Sequence, residues 1–144
     1  PVALALESTT TLYVAEFVGH RIRKITMDGT VTTLAGSGNS GFADGTGITA
    51  QFNQPFGLYV DGAGLLLVAD SANHRIRAIT AAGKVSTYSG AGSSGSKDGT
   101  LLQATYDTPT GLVADGKGVV YIADAFNNRI RKIADIGKLC PASP

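Results

Sequence analysis

The sequence has no tryptophan, one methionine and a single cysteine, Cys140. A lone cysteine excludes an internal disulfide framework and a CxxC site, and it says little about redox compartment. Charge of one sign is also missing in excess. The formal net charge is +1 with 16% charged residues, so there is no basic surplus of the kind that draws nucleic acid and no charged tail. Apolar runs such as Leu65–Ala69 fall far short of the roughly 20 residues that cross a bilayer as a helix. The N-terminus, PVALALE, lacks a basic n-region and a cleavage signature, so it does not read as a secretory signal. It does not begin with Met either, and the chain reads as an excerpt or a processed product. No Asn-x-Ser/Thr acceptor occurs. Neither HExxH nor GxSxG is present, so no nucleophile or metal motif points to an enzyme, and neither a cofactor nor a metal is expected.

What the sequence does have is a repeat. Leu66–Ile79, LLVADSANHRIRAI, has a copy at Leu12–Ile25, LYVAEFVGHRIRKI, and another at Val120–Ile133, VYIADAFNNRIRKI. Ala15, Ala69 and Ala123 stand a constant 54 residues apart, and a period of this size marks a repeat architecture. Within each copy a short apolar run is followed by four turn residues and then by an alternating Arg-Ile-Arg, the pattern of a β-hairpin. Folding it about the turn sets Asp70 opposite Arg75 and Val68 opposite Arg77.

Extending outward from the hairpin gives a four-strand unit. In the second unit Gly57–Asp61, Leu65–Asp70, Arg75–Thr80 and Val85–Ser89 read as strands a to d. They are joined by glycine-bearing turns at Asp61–Gly64 and Ala81–Lys84, in keeping with 19 glycines in the chain. The third unit matches through Gly111–Asp115, Val119–Asp124 and Arg129–Ile133, then stops short. In the first unit Glu7–Thr10 replaces the Asp-Gly turn, and the third turn is Met27–Thr30. Pro1, Pro55 and Pro109 share one repeat position and cut the chain into units 1–54, 55–108 and 109–144, the last truncated in or after its fourth strand. Two glycine-rich connections, 36–54 and 90–108, agree at Gly41/Gly95, Asp44/Asp98, Gly45/Gly99, Ala50/Ala104 and Phe52/Tyr106. A loop that keeps register is structured. The expectation is a helical turn before the aromatic, and an aromatic that anchors the loop.

Four short antiparallel strands per repeat predict an all-β β-propeller with three consecutive blades present. The residues Val68–Arg77 with their two copies, and Pro-x-Gly-Leu at Pro55–Leu58 and Pro109–Leu112, resemble the NHL-repeat propellers over the whole length. That resemblance implies a ring, usually of six blades, with strand a innermost around a central channel, so three blades would be half of it. The small residues Ala3, Gly57 and Gly111 suit the crowded inner position. It also implies a protein-interaction or structural scaffold module within a larger protein or assembly. Two alternatives come with it. One is a propeller enzyme of lyase or lactonase type, with catalytic residues in blades not present here. The other is an RNA-binding domain.

The remaining motifs are weighed on context. Gly36–Gly41 and Gly90–Gly95 both match GxGxxG, yet turn-like residues follow instead of a helix, so a dinucleotide site is not supported. His20 and His74 share a position at the start of strand c, with Asn128 in the third copy, and read as turn or capping residues. Glu16/Arg21, Asp70/Arg75 and Asp124/Arg129 read as cross-strand pairs that hold structure, each worth about 0.2–1 kcal/mol. Arg23, Arg77 and Arg131 have no acid opposite them. They form the one arginine ladder that could meet RNA, against the near-neutral charge.

In an antiparallel blade the b–c turns and the d–a connections emerge on one face of the disc. Partner contact is therefore expected there, through Phe17 and Phe126 as apolar tips, His20 and His74 in the same turns, and Asn39 and Lys97 at the rim. The remaining blades or a second copy are expected to close the ring. No membrane span is expected. The apolar tail Leu139-Cys140-Pro141 reads as leading into another module of a larger, extracellular protein.

Overall fold

The structure is a computed structural model that describes residues 1–7, 10–115 and 117–134. Blade 1 comprises β1 (Ala3–Glu7), β2 (Thr11–Glu16), β3 (Arg21–Thr26) and β4 (Val31–Ala35) in sequential antiparallel order. A two-residue strand, β5 (Gly45–Thr46), lies in the first connection. Blade 2 follows with β6 (Pro55–Val60), β7 (Leu66–Asp70), β8 (Arg75–Ile79) and β9 (Lys84–Ser89). Blade 3 has β10 (Pro109–Ala114), β11 (Val119–Asp124) and β12 (Arg129–Ala134). A fourth strand for blade 3, the unit's truncation and the tail at Cys140 all fall outside the described residues. No described helix is long and apolar enough to cross a membrane.

The meander and its register are as expected. Asp70 pairs with Arg75 and Val68 with Arg77 across β7 and β8. Strand a begins two residues earlier than expected, at Pro55 and Pro109, because a bulge before Leu58 and Leu112 lets each proline sit opposite Asp70 or Asp124. The bulge contains Gly57, and its lack of a side chain matters: a Cβ there would overlap the carbonyl oxygen of Thr110 on the neighbouring inner strand.

Blade 2 has five strands, not four, in the order β5-β9-β8-β7-β6. The first connection does not stay on the disc face. It runs down the outer rim, where Gly45 and Thr46 pair with Val85 and Lys84, and Gly47 donates its N–H to Gly83 in the c–d turn. It then returns through a 3-10 turn at Gly47–Thr49, the helical turn expected before the aromatic.

Blade 2 is sandwiched between blades 1 and 3, so both faces of its strands are apolar and β7 is buried at every position. The core is two separate layers. One joins Tyr13, Ala15 and Ile22 of blade 1 to Leu66, Val68 and Ile79 of blade 2, with Phe52 of the connection wedged between them. The other joins Leu67, Ala69 and Ile76 of blade 2 to Val120 and Ile122 of blade 3, with Tyr106 in the equivalent place. The two aromatics therefore anchor their connections in the inter-blade layer.

Candidate interaction surface and the inter-blade staple

The b–c turns share one geometry. After a 3-10 turn at Ser71–Asn73 the chain enters the left-handed region at His74 (φ 53°), and His20 (φ 49°) and Asn128 (φ 52°) repeat it. Asn and His are among the non-glycine residues that tolerate this region best. The histidine rings are used locally. Nδ1 of His74 accepts the Thr108 N–H at 3.2 Å, and Nδ1 of His20 accepts that of Gln54 at 3.1 Å. Both donor residues, Thr108 and Gln54, also have positive φ (51° and 55°), so each ring supports a strained residue just before a proline. His74 Nδ1 lies 3.5 Å from an Asp107 carboxylate oxygen. The geometry of both histidines is that of a cap.

Directly below the turn is a buried polar cluster. Asp70 Oδ1 accepts the Asn53 N–H at 2.8 Å, while Oδ2 accepts from Asn73 Nδ2 at 2.8 Å and Arg77 Nη1 at 2.9 Å. Arg77 goes on to donate to the carbonyls of Gln51 and Ala43 and to the Asp44 carboxylate, and Asn73 donates to the Gly41 carbonyl. Its guanidinium stacks near the rings of Phe42 and Phe52, 4.7 and 5.4 Å from their centroids. Blade 3 repeats the arrangement. Asp124 binds the Asp107 N–H, Asn127 and Arg131, and Arg131 binds the carbonyls of Thr105 and Lys97 and the carboxylate of Asp98. The Asp–Asn–Arg triad is thus a staple that clamps each arriving connection to its blade. Burial pushes the Asp70 carboxyl above its usual range, against the opposing pull of Asn73, the Asn53 N–H and Arg77.

This corrects two expectations from the sequence. Asp70 and Asp124 form ion pairs with Arg77 and Arg131, not with Arg75 and Arg129 directly opposite. The diagonal partner shares the same buried face, and from there it also reaches the connection. Arg75 turns outward to the Ala91 and Gly90 carbonyls and stacks 4.1 Å from the Phe42 centroid, and Arg129 is exposed. Glu16 does hold Arg21, at 3.0 Å, and Arg23 as well, at 3.2 Å. The arginine ladder considered for RNA is largely buried: Arg77 is fully enclosed and Arg131 nearly so, each neutralised by two carboxylates.

The apolar tips divide. Phe17 packs edge-on against Phe56 of blade 2, centroids 6.0 Å apart at 88°. Ser71, at the same repeat position, donates its hydroxyl to the Pro109 carbonyl of blade 3. That position is therefore an inter-blade contact. Phe126 is 73% exposed, and Val18, its repeat counterpart, is 82% exposed. Asn39 and Lys97 are exposed on the connections. Val18 adjoins Phe17 in its turn, and its alignment with Phe126 marks it in the sequence as an apolar turn residue. Among the described residues, no group of three or more His, Cys, Asp and Glu side chains is arranged to hold a metal ion.

Stacked antiparallel blades with the innermost strands side by side and stapled connections at the rim define a segment of a β-propeller. Residues 52–79 match the family model for the NHL repeat. The chain is 34% identical over 137 residues to NHL repeat-containing protein 2 of Gallus gallus, covering 87% of this chain and 19% of that protein. It superposes on a Bacteroides thetaiotaomicron protein of unknown function with a TM-score of 0.80 and 33% identity, over 86% of this chain and 32% of that one. It also superposes on an auxiliary nutrient binding protein of the same organism at a TM-score of 0.78 and 28% identity, over 87% and 35%. The chain belongs to the NHL-repeat family, and it spans about a fifth of the length of the NHL repeat-containing protein it matches.

Proposed function

We propose that this segment is a binding and scaffold module, not an enzyme, and that its partner contact lies on the face carrying the b–c turns. One observation carries the reading: the chain places exposed apolar side chains, Val18 and Phe126, at the same turn position in blades 1 and 3. An apolar side chain at a turn tip gains nothing for folding, and aromatic residues are enriched at interface hot spots. The ionisable groups in and beneath the b–c turns support it too. His20, His74, Asp70 and Arg77 have protein partners that hold structure, which leaves few groups for chemistry on that face. An auxiliary nutrient binding protein among the structural relatives is in keeping with a recognition role. Asn39 and Lys97 are the polar rim residues of this contact. Phe17 supports the surface from beneath through Phe56.

The test is affinity capture with the wild-type chain and with Val18→Asp/Phe126→Asp. Proteins retained by the wild type should be lost by the variant, and the variant should melt within a few degrees of the wild type. Retention of the same partners by the double variant would refute the assignment of this face.

A further inference from the structure

We propose that an aromatic side chain of a protein partner docks over Arg129 and Arg131 of blade 3, in the place that Phe42 takes over Arg75 and Arg77 of blade 2. The site lies where a connection meets a b–c turn. It rests on the assignment of partner contact to that face and deepens it by naming what the partner presents.

Blade 2 shows the complete form of the contact. The Phe42 centroid lies 4.1 Å from the Arg75 guanidinium carbon and 4.7 Å from that of Arg77. Phe52 brings a second ring to Arg77, at 5.4 Å. A guanidinium within about 6 Å of an aromatic centroid is attracted by the negative face of the ring. Blade 3 has half of this arrangement. Tyr106 stands 5.1 Å from Arg131, as Phe52 stands to Arg77. One repeat on from Phe42, however, the residue is Ser96, and among the described residues no ring lies over Arg129.

The backbone holds Ser96 where it holds Phe42. On either side of Phe42, Asn73 donates to the Gly41 carbonyl at 2.8 Å and Arg77 to the Ala43 carbonyl at 3.0 Å. On either side of Ser96, Asn127 donates to the Gly95 carbonyl at 2.7 Å and Arg131 to the Lys97 carbonyl at 3.0 Å. Ser96 thus occupies the equivalent place with a side chain too short to cover the arginines. A fourth strand in blade 3 would not cover it either, because blade 2 has both its fourth strand, β9, and Phe42. Phe42 is itself 46% exposed, so a ring in this position can be reached from solvent. The carboxylates and carbonyls around Arg131 take its N–H groups, which lie in the plane of the guanidinium. A ring meets the flat face and does not compete with them, and this selects an aromatic group over an acidic one.

The test titrates the isotope-labelled chain with two probes, N-acetyl-tryptophanamide and N-acetyl-leucinamide, and follows the arginine Nε–H resonances by nuclear magnetic resonance. The tryptophan probe should shift the Arg129 and Arg131 resonances through its ring current, with an affinity about two- to fivefold that of the leucine probe. Ser96→Phe supplies the ring from within the chain and should abolish the response. Phe42→Ser should create the same response at Arg75. Both substituted side chains are exposed, so the folds should be retained, which far-UV circular dichroism checks. A wild type that ignores the aromatic probe, answers both probes alike, or keeps its response after Ser96→Phe overturns the proposal, as does a folded Phe42→Ser chain in which Arg75 stays silent. If a variant does not fold, the comparison of the two probes on the wild type still decides. Failure here and failure of the wider reading are distinct. Partners lost by Val18→Asp/Phe126→Asp with no aromatic response at Arg129 overturn only this site, whereas an aromatic response with partners that survive that variant overturns only the contact at the tips.

Discussion

Replacing Arg77 with Met separates the structural reading of the charged cluster from the one the hairpin register suggests. The arginine side chain is fully buried, pairs with Asp70 and Asp44, and donates to two carbonyls of the connection. Methionine fills much of the stem volume but leaves the Asp70 carboxyl buried with only Asn73 and the Asn53 N–H. Removing one partner of a buried ion pair typically costs about 3–5 kcal/mol, against a total stability of about 5–15 kcal/mol for a domain. Arg75→Met removes two bonds to carbonyls at a partly exposed site and should cost only about 1 kcal/mol. Urea unfolding followed by circular dichroism measures both. Asp70→Ala/Arg77→Met should cost less than the sum of the single changes by about 2 kcal/mol, since the second change removes the orphaned partner of the first. If Arg75→Met destabilises as much as Arg77→Met, or if the double variant is additive, the staple is not the unit described here.

Two further predictions concern the inner strands. Gly57→Ala should destabilise by about 2–4 kcal/mol, because the new Cβ meets the backbone of Thr110 on the adjacent strand and neither strand can yield without breaking its ladder; thermal melting within a degree of wild type would contradict it. Burial, together with the hydrogen bond to Glu7 and the negative charge of that carboxylate, pushes the Tyr13 hydroxyl up to about 12. A tyrosine in the unfolded chain ionises near 10, so the stability owed to the neutral phenol is complete below about pH 10 and is lost as pH rises through the folded value. It is on the order of 2 kcal/mol for a shift of this size. Tyr13→Phe should remove that fall between pH 10 and 12, and a variant whose stability drops as steeply as wild type over that range would refute the assignment.

Sequence alone determined the repeat, the b–c hairpins and their pairing. Ala15, Ala69 and Ala123 at equal spacing, two apolar runs and a turn of fixed length leave little freedom, because in a hairpin the turn length sets which residues stand opposite. It also identified the aromatics that hold the connections, since Phe52 and Tyr106 recur in register within otherwise glycine-rich segments. Only the tertiary structure decided which arginine each aspartate meets. Register names the residue directly opposite, Arg75, whereas the ion pair forms with Arg77 because that residue alone reaches Asp70, Gln51, Ala43 and Asp44 together, and three of those four belong to the connection between blades. The same holds for Phe17, which has the look of an exposed tip within its own hairpin and is covered only once Phe56 of the next blade is placed beside it. Periodicity records what a strand needs from its own sheet. The contacts between sheets join residues far apart in the chain, such as Phe17 with Phe56, and no local pattern in the chain carries them.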